Sequence, residues 1–249
     1  MMNVSVNYHN PTSNMYAGLE YGIAAEIIQQ INEIYYILAK ASVPVRPFTP
    51  KAIQALKEAD EIKKLRILQD LTNWKNILVS ANVGIEKVDE KQLAAKALKY
   101  FNFRLKDHDW LETCGDQIIE IYNPEGIQLY RSLNFFNTCG YSLLDLCVNE
   151  WFVLWERPKA IIQRIHDVVG QVLTGTKTDT AVGIGPHLIR ETFDDGTTQP
   201  FQPRTAIVEF CNVCPTYSND LKNNIIGFVI TSRGKLVSVG EEATAIDFI

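Results

Sequence analysis

Asp116-Gln117-Ile118-Ile119-Glu120-Ile121-Tyr122-Asn123-Pro124-Glu125-Gly126-Ile127-Gln128-Leu129-Tyr130-Arg131 decides how the second half of this chain folds. Residues 116–122 read as a strand and 127–131 as its return strand. Between them Asn123-Pro124-Glu125-Gly126 is a turn, with proline preset for the second position and glycine suited to the fourth. Residues 134–149 then carry short helical pieces around Cys139-Gly140-Tyr141-Ser142-Leu143-Leu144-Asp145-Leu146. A longer helix is expected over 158–173, with Ile161, Ile162, Ile165, Val168, Val169 and Val172 on one face. Three more strands come after it, over 184–193, 200–210 and 224–231. In the second of these, Thr205, Ile207 and Glu209 alternate with Ala206, Val208 and Phe210, the pattern of a sheet covered on one side.

Ahead of this β-rich part the periodicity is 3.6, not 2. Residues 1–17 are turn-rich and read as a loose arm. A helix over 19–41 repeats Ile23, Ile27, Ile31, Ile34 and Leu38 at helical spacing, and the two prolines in 42–48 end it. Thr49-Pro50 reads as an N-cap and a first-turn proline, opening a helical segment with Ile53 and Leu56 on one side. Residues 61–80 form another helical stretch, with Ile62, Leu65, Leu68, Leu71, Trp74 and Leu78 as its apolar side. Whether these two stretches are continuous is open at this level. Asn82-Val83-Gly84 stops the run. Asp89 caps a last helix, with Gln92 placed for a capping box and Leu93, Ala97, Leu98 and Phe101 apolar. The fold class expected is therefore α+β: a helical domain over 18–110, strand-free to 105, then a five-stranded antiparallel sheet with flanking helices over 111–235, then a tail over 236–249.

Four pieces, in order, resemble the PAS family of sensor domains across roughly half the chain. Gly140-Tyr141-Ser142-Leu143-Leu144-Asp145-Leu146 is similar to the family's glycine-tyrosine-serine step with an acidic residue and leucine after it. Residues 158–175 resemble the long helix that closes the family's pocket, ending in Leu173-Thr174-Gly175. Asp194-Asp195-Gly196-Thr197 resembles its aspartate-glycine hairpin, and Ile226-Gly227-Phe228-Val229, with Thr231, Arg233 and Lys235, its final strand. Two features depart from the pattern. Arg157-Pro158 stands where proline-glutamate-aspartate is common, and the loop expected over 211–223 is long. The resemblance implies a small sensing sheet whose ligand lies between the sheet and the helix 158–173, lined by Trp155, Ile162, His166, Val169, Ile184 and Ile207.

His166-Asp167 ahead of Gly183-Ile184-Gly185 is also similar to the haem-binding oxygen-sensor branch of that family, in which the axial histidine sits on this helix. That branch makes haem the cofactor candidate, with His166 as the iron ligand; no other cofactor is identified. Pro186, with His187 after it, replaces the arginine that contacts bound gas in that branch. Other chemistry is thinner. Cys211-Asn212-Val213-Cys214 is a CxxC placed at a strand end, without the second pair that a zinc site needs. Cys139 or Cys147 with His166 offers a thiol–imidazole pairing, which supports an alternative reading as a small-molecule enzyme. Trp151, Phe152, Trp155 and Phe135 form an aromatic cluster near the pocket. Gly183-Ile184-Gly185 lacks the lysine-serine pair of a phosphate loop.

Composition sets the outer bounds. With 46% hydrophobic and 21% charged residues in 249, the chain can build one large core or two ordinary ones. Twenty-four Lys and Arg against 29 Asp and Glu give a net charge of −5, and no basic run advertises nucleic acid. Five cysteines are an odd number and suit reduced thiols in a cytoplasm better than a secreted disulfide framework. The first residues lack a secretory signal, and no apolar run approaches the roughly 18–20 residues that span a bilayer. The reading that results is a cytoplasmic sensory protein without membrane contact. Its PAS-like domain senses a small molecule or binds protein, its helices make a homodimer, and its output passes to a separate signalling partner.

Overall fold

A computed structural model describes residues 21–106, 111, 114–176, 182–192, 203–220 and 224–239. The 1–17 arm, the Asp194–Thr197 hairpin and the end of the tail lie outside the described residues. The N-terminal half forms four helices, each for a local reason. In α1 (Ile23–Lys40), Ala24, Ile27, Ile31, Ile34 and Leu38 are buried at three- and four-residue spacing. For α2 (Pro50–Glu58), the Thr49 side chain accepts from the Ala52 amide and Pro50 needs no N–H in the first turn. Ala59 is extended and Asp60 caps α3 (Glu61–Ser80) through the Lys63 amide, so α2 and α3 are separate helices. Asp89 caps α4 (Glu90–Tyr100) by accepting from the amides of Lys91 and Gln92.

The apolar side expected for α3 is corrected. Its buried residues are Ile67, Leu71, Ile77 and Leu78, whereas Ile62 is 81% and Leu65 53% exposed. At about 100° per residue, Ile62 and Leu65 sit roughly 140–160° around the axis from Ile67, on the far side. A step of three residues repeated from Ile62 drifts off any one face.

The strands are β1 (Phe103–Arg104), β2 (Ile118–Tyr122), β3 (Gln128–Arg131), β4 (Trp155–Glu156), β5 (Val182–Ile184), β6 (His187–Glu191), β7 (Arg204–Ser218) and β8 (Ile225–Val239). Helices α5 (Leu143–Val148), α6 (Trp151–Leu154) and α7 (Lys159–Leu173), with a 3-10 turn at Leu133–Asn137, fill the stretch between β3 and β5. All sheet pairings are antiparallel, in the order β3-β2-β8-β7-β6-β4, with β1 and β5 also on β7.

Eight strands replace the five expected. Strand β1 lies inside the segment expected to be helical throughout; two residues are too few to show a period. The single strand expected over 184–193 is two, because Pro186 between β5 and β6 cannot donate to a ladder. Strand β7 runs through the expected loop to Ser218, and Pro215 falls between the residues paired with β5 and those paired with β1. That side of the strand asks for no donor there. Strand β8 continues to Val239, past the limit of 235 set for the sheet domain.

Alternation assigns the faces. Glu120, Tyr122, Cys211, Phe228 and Ile230 point one way, and Ile119, Ile121, Cys214 and Val229 the other. The second set joins one apolar core with α1 to α4, α5 and the 3-10 turn. Val168 and Val172 of α7 form a smaller core with Val182, Ile184, Val208, Cys211, Val213 and Phe228.

Strand β2 approaches β8 so closely at Gly227 that a Cβ there would stand 2.2 Å from the Tyr122 carbonyl oxygen. Gly227→Ala is expected to destabilise the protein by about 2 kcal/mol or more, since backbone must move. A thermal melt within about 1 °C of the parent would disprove this.

Candidate functional site

The stretch from Gly140 to Leu146 is a structural joint. Ser142 and Asp145 form a capping box at the start of α5, and the Asp145 carboxylate also accepts from the Thr49 hydroxyl at 2.7 Å. The amides of Leu143 and Leu144 donate to the carbonyls of Arg46 and Pro47. Gly140 donates its amide to the buried Glu191 carboxylate, which also accepts from the Arg204 amide. Tyr141 donates its hydroxyl to the Leu154 carbonyl and accepts from the Thr192 amide. The joint fixes α5 and α6 over one end of the sheet.

Between the sheet and these helices lies a cavity of about 720 Å³. Its floor includes Glu120 and Tyr122 of β2, Val208 and Cys211 of β7, and Phe228 and Ile230 of β8. Its roof includes Trp151, Trp155, Ile165 and Val169. Arg66, Ile67, Asp70, Leu71 and Trp74 of α3 close a further side, so the N-terminal helices share the cavity with the sheet. Few protein voids exceed a water molecule, and ligand sites span about 300–1,000 Å³.

Of the six residues expected to line a pocket, Trp155, His166 and Val169 do so and Ile162, Ile184 and Ile207 do not. Trp155 is buried and meets Phe135 and Tyr141 edge-on at centroid distances of 6.2 and 5.5 Å, so it also belongs to the core. Ile184 is buried under α7. Ile207 lies between Ala206 and Val208, which have the opposite orientation; Val208 faces the cavity and Ile207 faces away.

His166 is exposed on the flank of α7, its ring tilted against Trp151 at 6.2 Å. Gly185 and Pro186 are exposed as well. Haem iron is tuned by a buried, low-dielectric surrounding, so these residues fit haem poorly. The histidine at depth is His187. Its Nδ1 lies 2.9 Å from the Gly185 carbonyl, which can only accept, and this puts the ring hydrogen on Nδ1. Burial lowers its pKa, the Gly185 hydrogen bond opposes this and the Arg157 charge adds to it; the net shift is downward and favours the neutral ring.

The polar floor was not foreseen. Glu120 accepts from Gln128 and pairs with Arg131 at 3.7 Å. Gln128 also donates to the Tyr122 hydroxyl at 2.9 Å, and the Tyr122 ring stacks on Phe228 at 5.0 Å. Arg157 enters from the chain between β4 and α7, its guanidinium 5.1 Å from the Trp151 ring centroid. A charged Glu120 flanked by isoleucines in a strand was the available signal for this floor.

The thiols are not poised for nucleophilic work. Burial pushes Cys147 and Cys211 up to about 12 and Cys139 higher still, leaving little thiolate at neutral pH. Cys211 and Cys214 are both within β7 and not at its end. Three positions apart with no register break between them, they point to opposite faces. None of the five cysteines is in a disulfide, and among the described residues no group of three or more His, Cys, Asp and Glu is placed to hold a metal.

No family model matches this chain, and no curated protein matches it either.

Asp70, on the α3 wall, has its pKa raised to about 6, chiefly by burial, with the Arg66 charge opposing. A raised carboxyl pKa favours the folded state at low pH; that stability is lost as pH rises from about 4 through about 6. Asp70→Asn is therefore expected to stabilise the protein by on the order of 1–2 kcal/mol at pH 7.5 and to change little at pH 4. Equal effects in melts at both pH values would contradict this.

Proposed function

We propose that this chain is a PAS-like sensory protein of the cytoplasm that takes up a small molecule between its sheet and α7 and passes the state of that site to a separate partner. The observation that carries this reading is the shared wall. Residues of α3 line the same cavity as α7 and the sheet, so a molecule held there touches the helices that face outward. The five-strand core made by β2, β3 and β6 to β8, with helices between its second and third members in chain order, supports the family reading. Five cysteines without a disulfide suit a reducing compartment. Among the described residues no helix is long and apolar enough to cross a membrane.

A neutral apolar fluorophore, N-phenyl-1-naphthylamine, tests the relay. Its fluorescence should rise on binding, and amide exchange should slow in α3 around residues 66–74 as well as in α7. Binding that slows exchange in α7 alone would sink the relay.

The N-terminal helices are also proposed to form a homodimer, with Ile62 and Leu65 of α3 as the apolar contact left on their outer side. Light scattering should give twice the chain mass, falling towards the single mass for Ile62→Glu. A single-chain mass for the parent at high concentration would reject the dimer.

A further inference from the structure

The polar atoms buried around the cavity define the ligand more narrowly. Among the described residues, those that line it and hold a buried polar atom with no hydrogen-bond partner are Trp74 (Nε1), Tyr130 (hydroxyl), Arg131 (Nε) and Arg157 (Nε and Nη1). Every one of these atoms carries a hydrogen to donate. Arg131 already has an ion pair with Glu120, whereas Arg157 has no carboxylate within ion-pair distance among the described residues. Glu120 is the acidic group whose charge reaches Arg157 most strongly, but its carboxylate serves Gln128 and Arg131. The other groups facing Arg157 are the neutral His187, the Tyr122 hydroxyl, the protonated Cys211 and the Trp151 ring.

A guanidinium whose Nε and Nη1 are both buried without a partner is costly unless an anion meets it. Its planar fork suits a carboxylate. The surfaces beside it are apolar: Trp151, Trp155, Ile165, Val169, Phe228 and Ile230. We propose that the cavity binds a small amphipathic carboxylate, its acid group held by the Arg157 fork and its apolar body between α7 and the sheet. This rests on the reading of the cavity as a ligand site, and it turns Arg157, one of the two departures from the family pattern, into the residue that selects the ligand.

The full chain loaded with N-phenyl-1-naphthylamine is titrated with decanoate and with 1-decanol, which share a chain and differ in charge. Decanoate should displace the fluorophore at a concentration at least about tenfold lower. Arg157→Met should bring the two within about twofold, and Arg157→Lys, a charge without the fork, should give an intermediate preference. Without added ligand, Arg157→Met should melt above the parent, because an unmet buried charge is gone; decanoate should raise the melting temperature of the parent and not of this variant. Equal displacement by both compounds in the parent, or a preference unchanged in both variants, overturns the carboxylate inference while the ligand-site reading stands. Displacement by neither compound overturns both.

Discussion

Asp145 is fully buried, and a carboxylate in that position is tolerable only because donors meet it from two parts of the chain. The Ser142 amide and hydroxyl bond one oxygen at 2.9 and 2.6 Å, and the Thr49 hydroxyl bonds the other at 2.7 Å. Thr49 is at the same time the cap of α2. One acidic side chain thus starts α5 and ties the N-terminal helices to it. Loss of any of its donors would leave a buried acceptor unmet, at a cost of about 1–3 kcal/mol. The placement of α5, the roof of the cavity and the seating of α2 all depend on this junction. Glu191 repeats the device at the end of β6, where two amides from other segments meet its carboxylate.

A third carboxylate, Glu90, works the same way at the other end of the linkage. Glu90, in the first turn of α4, accepts from the amides of Leu133 and Asn134 and so satisfies the start of the 3-10 turn. Burial raises its pKa, and the two amides oppose that rise. Helices early in the chain therefore supply the polar partners for backbone groups far along it. This explains why the helical half and the sheet half share one apolar core: each leaves groups that only the other can satisfy.

Sequence pattern revealed the elements whose period is long enough to read. The stripe of α1, the caps Thr49 and Asp89, the turn after Tyr122 and the face of α7 all come from local chemistry that tertiary packing did not override. Strands β1 and β4 are two residues each and carry no period. Residues 211–218 contain a proline, an asparagine and two cysteines, which read as a loop until neighbours on both sides supply ladder partners. The site was half legible. His166 and Val169 fall on the cavity side of α7 because helical spacing puts them there. Ile207 failed because parity along β7 is set by its register with β6 and β8, which a single chain does not print. Arg157 was noticed only as a break in a pattern, since nothing local shows that its fork turns inward.

The wall that α3 contributes has a consequence for regulation that runs in both directions. If a bound molecule restrains α3, then a protein that grips the outer helices must alter the affinity of the cavity by the same factor, because linkage between two sites is reciprocal. The partner would then set the concentration at which the chain responds. The same cavity would answer to one threshold when the chain is alone and to another when it is engaged, without any change in the residues that touch the ligand.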